Sequence, residues 1–158
     1  MKLRSMRSAA GVHLAPRPTE AVARGRCSVE QGRWGEEVAA AYLRRLGWAI
    51  LERNARPCRR DARCEIDIIA RLRDGGIVFV EVKTHAGRSE YASRLWRVDR
   101  RKKGNLLRAC ANWIMRNRWH GNFRFDVIEV YGSRAGPVLP EIDHIENVPL
   151  FGGNWRFW

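Results

Sequence analysis

Three ionisable residues at short spacing carry the clearest chemistry in this 158-residue chain. Asp67 sits inside Glu65-Ile66-Asp67-Ile68-Ile69-Ala70, and Glu81 and Lys83 close the run Ile77-Val78-Phe79-Val80-Glu81-Val82-Lys83. Both runs are short and rich in β-branched residues, and Asp74-Gly75-Gly76 lies between them, which predicts the two strands of a hairpin. Side chains two apart on a strand share a face, so Glu81 and Lys83 project together. An acid on one strand with Glu-x-Lys on the next is a donor set for a hard divalent cation acting on a phosphodiester. Carboxylate oxygens suit Mg²⁺, with Mn²⁺ as the alternative ion, and Mg²⁺ keeps several waters and a place for substrate phosphate. Such an ion lowers the pKa of a bound water and neutralises charge developing on phosphorus oxygens. A lysine two residues from a ligand can orient the attacking water or stabilise the pentacoordinate transition state.

On the Glu81–Lys83 dyad alone, a same-face surface ion pair worth under about 1 kcal/mol is the simpler account. The third acid and the basic surroundings favour the metal site, provided that Asp67 shares their face. Directly opposed residues of an antiparallel hairpin point to one face and have a constant index sum. Asp67 opposite Glu81 requires a sum of 148 and a three-residue loop, Arg73 to Gly75. A two-residue Asp74-Gly75 loop gives 149 and sets Asp67 against Val82 instead. The chemistry therefore demands an odd loop or a bulge, which the glycine pair permits.

The elements that must hold these residues can be read around them. Ser28 is a helix N-cap with Glu30 and Gln31 in the first turn. Trp34, Val38, Tyr42 and Leu46 then recur every four residues, flanked by Gly35 and Ala39, and Gly47 ends the helix. Arg33, Glu37 and Arg44 fall on the solvent side, but at 100° per residue Glu36 lies only about 20° from Leu43, at the edge of the apolar stripe. An acid there has either a partner or a task. A strand is predicted from Trp48 to Arg53, then a basic loop holding Arg56, Arg59, Arg60 and Arg63. Beyond the hairpin, residues 84–97 read as loop, with a second helix from about Val98 to Asn117 turning Leu106, Leu107, Cys110, Trp113 and Ile114 inward. Phe123 to Val130 reads as another strand, and a short one falls near Ile142 to Ile145. Helix, three strands, helix, strand argues an α/β domain with a mixed sheet flanked by helices.

Lys and Arg number 30 against 17 Asp and Glu, a formal charge of +13. That imbalance points to a polyanionic partner, nucleic acid foremost. No apolar run approaches the roughly 20 residues of a membrane span. Residues 1–28 hold six basic side chains against the single acid Glu20 and read as a disordered basic arm. Residues 29–150 form one domain, and 151–158 an aromatic tail. The four cysteines, irregularly spaced and without a secretory signal, fit reduced thiols in a cytoplasmic protein. Cys58 and Cys64 with His85 make a poor zinc site, because their spacer exceeds the usual two to four residues.

Taken in order, the motifs resemble the bacterial YraN-like family. Gly32-x-x-Gly35-Glu36 precedes Ala39 and Tyr42-Leu43, then come Asn54, the Glu65–Ala70 run and Phe79-Val80-Glu81-Val82-Lys83. Val98-x-x-x-Lys102, Arg124-Phe125-Asp126-Val127-Ile128 and His144-Ile145-x-Asn147 continue the match, which covers roughly residues 30–150. That family is grouped with the restriction-endonuclease-like PD-(D/E)xK nucleases and is similar to Holliday-junction resolvases. The resemblance implies a restriction-endonuclease-like core, Asp67 and Glu81 as metal ligands, Lys83 as the catalytic lysine and Glu36 as a helix-borne acid of the site. This chain departs from the pattern at Cys64, where the family has Gly, in a longer Asn54–Cys64 loop, and at Thr84-His85, where a basic residue is usual. His85 shares the parity of Glu81 and Lys83, although a surface histidine is the simpler account of it.

Two functions are carried forward. One is a Mg²⁺-dependent endonuclease hydrolysing DNA phosphodiester bonds, at branched or damaged sites, with Arg59, Arg60, Arg63, Arg100, Arg101, Lys102 and Lys103 on the phosphates. The other is a catalytically silent nucleic-acid-binding protein of the same fold. A homodimer follows only by analogy with resolvases.

Overall fold

The structure, a computed structural model, describes residues 20–58, 61–88 and 100–151, the backbone alone at 20–27 and 100. Its elements are α1 (Glu20–Arg45), β1 (Ala49–Ala55), β2 (Ile66–Arg71), β3 (Ile77–His85), α2 (Arg100–Arg116), β4 (Phe123–Tyr131) and β5 (Glu141–Ile145). The five strands form one open mixed sheet in the order β1-β2-β3-β4-β5. β1, β2 and β3 run antiparallel to one another, β3 and β4 are parallel, and β5 returns antiparallel to β4. The parallel step needs a crossover, and α2 lies within it. This α/β arrangement agrees with a restriction-endonuclease-like core. Among the described residues no helix is long and apolar enough to cross a membrane.

The sheet separates two cores. Ala39, Ala40 and Leu43 of α1 pack on Ile68, Val78, Val80 and Ile128, while Leu106, Cys110 and Trp113 of α2 pack on Ile69, Phe79, Phe125 and Val127. Alternation along β3 and β4 therefore feeds both layers, as expected of strands covered on two faces.

Helix α1 differs from its sequence reading in two respects. It begins at Glu20, so Ser28 lies inside the helix instead of capping it. Its buried residues are Gly35, Ala39, Ala40 and Leu43, three of the four small, whereas Trp34, Val38 and Tyr42 are half-buried flanks and Leu46 is exposed. Small residues let the helix axis approach the sheet, so the large residues of the four-residue repeat end up on its shoulders. Gly47 closes the helix with φ +80°. Trp48 N–H donates to Leu43 O at 3.1 Å and Gly47 N–H to Arg44 O at 2.9 Å, the two bonds of a Schellman motif.

The hairpin register meets the sequence requirement. Ile68 pairs with Val80, Ile69 with Phe79, Ala70 with Val78 and Arg71 with Ile77, all summing to 148. Leu72 N–H donates to Gly76 O at 2.8 Å, which leaves Arg73, Asp74 and Gly75 as the three-residue loop. Gly75 takes φ +92°, the left-handed position such a loop needs, and Asp74 Oδ1 accepts the Gly76 N–H at 2.9 Å. Residues 1–19 and 152–158 of the proposed arm and tail, with Arg59 and Arg60, lie outside the described residues.

Candidate active site

The site forms where β2 and β3 stop pairing. Backbone pairing ends at Ile68–Val80, and one step further the Asp67 side chain replaces it, with Oδ2 accepting the Val82 N–H at 2.7 Å. Ile66 and Ile68 go to different core clusters although two residues apart. Strand alternation thus breaks at Asp67, and its carboxylate turns into the opening beside β3. Burial pushes the Asp67 carboxyl up to about 7, helped by the neighbouring negative charges of Glu81 and Glu36 and opposed by the Val82 hydrogen bond and Lys102.

Glu81 is 4% exposed, so its charge must be compensated within the protein. Lys83 Nζ donates to Glu81 Oε1 at 2.6 Å, and Lys102 Nζ, from the first turn of α2, donates to the same oxygen. Burial opposes the Lys102 charge, but the Glu81 carboxylate, with Asp67 nearby, outweighs it and raises the Lys102 pKa. Glu36 comes from α1. Its Oε2 is buried without a hydrogen-bond partner, and Arg53 Nη2 stands 3.8 Å away.

The structure thus brings together Glu36, Asp67, Glu81 and Lys83, and adds Lys102 and Arg53. Sequence reasoning placed Lys102 among the phosphate contacts. Instead its ammonium is drawn inward, because a buried carboxylate attracts the nearest cation on a long stem. Only the Val98-x-x-x-Lys102 motif hinted at this, since strand parity says nothing about which helix side chain reaches a strand. Of the other basic residues, Arg101 and Lys103 are exposed on α2. Arg63 is paired with Asp61 at 2.8 Å, and Arg108 reaches the same carboxylate at 3.1 Å. Arg100 is described by its backbone alone.

Gly35 holds Glu36 in place. A methyl group there would stand 1.9 Å from Thr84 Oγ1 and 3.0 Å from Thr84 Cβ and Cγ2, so α1 can lie this close to β3 only with glycine. Gly35→Ala is expected to destabilise the fold by about 1–3 kcal/mol through overpacking and to displace the adjoining Glu36. Urea denaturation of Gly35→Ala with and without Thr84→Ala checks this, and the second change should restore part of the loss.

His85 corrects its sequence reading as a surface residue. It stacks on Tyr131 at 5.0 Å and 22°, and its Nε2 is buried without a hydrogen-bond partner, 3.8 Å from Glu129 Oε1. Tyr131 donates to Glu129 Oε2 at 2.5 Å, and burial together with Glu129 pushes the phenol up to about 12. Sequence reasoning had missed Glu129, which is 2% exposed and paired in register with Lys83. Cys58, Cys64 and Cys110 are free thiols. Burial and the Cys58 hydrogen bond push the Cys64 thiol up to about 11, the opposite of what a zinc thiolate requires.

The profile of uncharacterised protein family UPF0102 matches residues 35–130, from Gly35 through the last strand of the parallel pair. This chain belongs to that family. UPF0102 is the YraN family, and the matched span includes Glu36, Asp67, Glu81, Lys83 and Lys102. Among the proteins similar to this member is a UPF0102 protein of Trichlorobacter lovleyi, 40% identical over 117 residues, 73% of this chain and 87% of that one. A Clostridium botulinum relative is 42% identical over 106 residues, 66% of this chain and 81% of its own. A Parafrankia relative is 42% identical over 117 residues, 73% and 94%. Each is named as a UPF0102 protein, and the names state no activity.

Proposed function

We propose that this UPF0102 member is a metal-dependent endonuclease that hydrolyses DNA phosphodiester bonds. The observation that carries this reading is a buried aspartate, Asp67, that feels the negative charges of Glu81 and Glu36. Asp67 is held near neutrality by burial and by Glu81, while Glu36 presents a buried carboxylate oxygen with no hydrogen-bond donor. An all-carboxylate set under mutual repulsion fits a hard divalent cation, Mg²⁺ or Mn²⁺. Asp67 and Glu81 would hold it, with Glu36 reaching a bound water. The ion would acidify that water and neutralise charge on the phosphorus oxygens. Lys83, anchored on β3 beside Glu81, orients the attacking water or stabilises the phosphoryl oxygens as phosphorus becomes five-coordinate. Glu36 Oε2, with no hydrogen-bond partner and Arg53 Nη2 3.8 Å away, would accept a hydrogen bond from the attacking water.

The test is Mg²⁺-dependent cleavage across duplex, single-stranded, flap and four-way-junction DNA, with Glu81→Ala as control. Product formation by the wild type and none by Glu81→Ala is the expected result.

A second reading has its own observation. Both lysines sit on Glu81, and among the described residues no three His, Cys, Asp or Glu side chains converge closely enough to hold a metal. A catalytically silent binding protein would keep that arrangement, showing salt-sensitive DNA binding but neither cleavage nor stabilisation by Mg²⁺. Both readings use the basic face. Neutralising Arg101 and Lys103 together is expected to weaken binding to unrelated DNA sequences and to reduce the slope of log K against log salt by about 2. Fluorescence anisotropy over a salt series measures that slope, and an unchanged slope would remove these residues from the interface.

A further inference from the structure

We infer that Lys102 is a tethered counter-ion of the carboxylate cluster, which leaves Glu81 when a divalent cation binds and then serves a substrate phosphate. This rests on the metal-site reading and deepens it by identifying what the cation must displace. Two ammonium groups, Lys83 and Lys102, converge on one oxygen, Glu81 Oε1. Like charges tolerate such proximity only where acids surround them, and here Asp67 joins Glu81 in acting on Lys102. Three carboxylates (Glu36, Asp67, Glu81) face three cations (Arg53, Lys83, Lys102). A divalent ion added to that set brings two excess positive charges against ligands already in use, so a resident cation must move.

Geometry selects which one. Lys83 lies on β3, whose backbone there pairs in register with β4, and stands two residues from Glu81. Arg53 is associated with Glu36, not Glu81. Lys102 comes from the first turn of α2, on a four-carbon stem with its side chain 45% exposed, against 32% for Lys83. It can rotate toward solvent without disturbing the sheet, and on that side it joins the exposed Arg101 and Lys103. An ammonium released from a carboxylate at the rim of a basic face is placed to meet an incoming phosphate. The device keeps the buried acids neutralised at rest, then turns the same charge toward substrate.

The experiment is calorimetric titration of the full chain with Mg²⁺, and separately Mn²⁺, without DNA, comparing wild type, Lys102→Met and Lys102→Arg. Lys102→Met is expected to bind the ion roughly tenfold more tightly, because a competing cation is gone. Lys102→Arg should stay near the wild-type affinity, since the charge is kept. With DNA at saturating Mg²⁺, Lys102→Met should nonetheless cleave more slowly, so metal affinity and turnover move in opposite directions. A purely structural lysine would lower both, and a remote basic residue would leave metal affinity unchanged. Equal or weaker ion binding by folded Lys102→Met overturns the inference, with Lys102→Gln giving the same comparison should the methionine variant fail to fold. Wild-type protein that binds neither ion removes the metal-site reading as well, whereas binding that does not tighten in the variants removes only the counter-ion role.

Discussion

Asp67→Asn is expected to abolish DNA cleavage and, in metal-free protein at pH 8, to raise thermal stability. The two effects have one cause. Asp67 has an ordinary carboxyl pKa of 3.8 when unfolded and about 7 in the folded protein. Below about pH 4 both states are protonated and the group is neutral in each. Between about pH 4 and 7 the unfolded chain releases the proton while the folded protein keeps it, so stability falls as pH rises. Above about 7 both states are ionised, and the folded protein carries the full penalty of a buried charge beside Glu81. At 1.36 kcal/mol per pKa unit that penalty is about 4 kcal/mol. Asparagine has the same shape, still accepts the Val82 N–H and cannot ionise. It should gain most of that amount at pH 8, about 5–10 °C in Tm for a chain of this size, and nothing at pH 4. Melting curves of wild type and variant at pH 4 and pH 8 measure it directly.

Mg²⁺ supplies the complementary arm. An ion that binds only the folded state stabilises it by an amount set by its concentration over Kd, so wild-type Tm at pH 8 should rise with Mg²⁺ while that of Asp67→Asn stays flat. Salt-sensitive DNA binding should survive the substitution, because the basic face is untouched. If the variant is no more stable than wild type at pH 8, the carboxylates are not in conflict, and a cation has no repulsion there to relieve.

The hairpin and its acids were legible in sequence because strand geometry is periodic. Parity and an odd loop sufficed for the hairpin register, which the Arg73–Gly75 loop with its left-handed glycine supplies, although that pairing stops at Ile68–Val80 and Asp67 instead takes the Val82 N–H. Glu36 was legible for a similar reason, since helical periodicity exposed an acid where an apolar residue belonged. Contacts between layers have no such rule. Lys102 reaches Glu81 through the pitch of α2 against the sheet, and Arg53 reaches Glu36 across a strand with a bulge between Ile50 and Glu52. The stripe on α1 misled for a physical reason, because hydrophobicity ranks Trp34 and Leu46 above Gly35 although close helix–sheet packing selects the smallest residue. Asp126 was visible only as a motif letter. In a strand reading Phe-Arg-Phe-Asp-Val-Ile, nothing in composition says that the polar residues face inward.

Those inward residues should make Asp126→Ala the most destabilising single substitution in the sheet, by about 3–5 kcal/mol. Asp126 is completely buried. Its Oδ1 accepts the Asn147 N–H at 2.8 Å, and its Oδ2 lies 2.9 Å from His144 Nε2 while accepting from Arg124 Nε and Nη2 at 3.2 and 3.1 Å. With Nε2–H directed at Asp126, His144 Nδ1 faces the Tyr42 hydroxyl at 3.4 Å, so one carboxylate ties β5 to β4 and, through the histidine, to α1. Asn147, held by this bond just beyond β5, sits in the left-handed region at φ +53°, which asparagine tolerates better than most residues. Arg124 also lies over the Trp48 ring at 5.4 Å and pairs with Glu146 at 3.0 Å. Removing the carboxylate leaves a buried N–H unpaired and deprives the Arg124 guanidinium of its buried partner, and the alanine cavity restores neither. Asp126→Asn keeps the volume and one acceptor, so its cost should be about half as large. Urea denaturation of both variants measures the difference, and hydrogen exchange should show the loss first in β5, the edge strand that depends on this carboxylate. A loss below 1 kcal/mol in Asp126→Ala would mean that β5 is held by its backbone pairing with β4 alone.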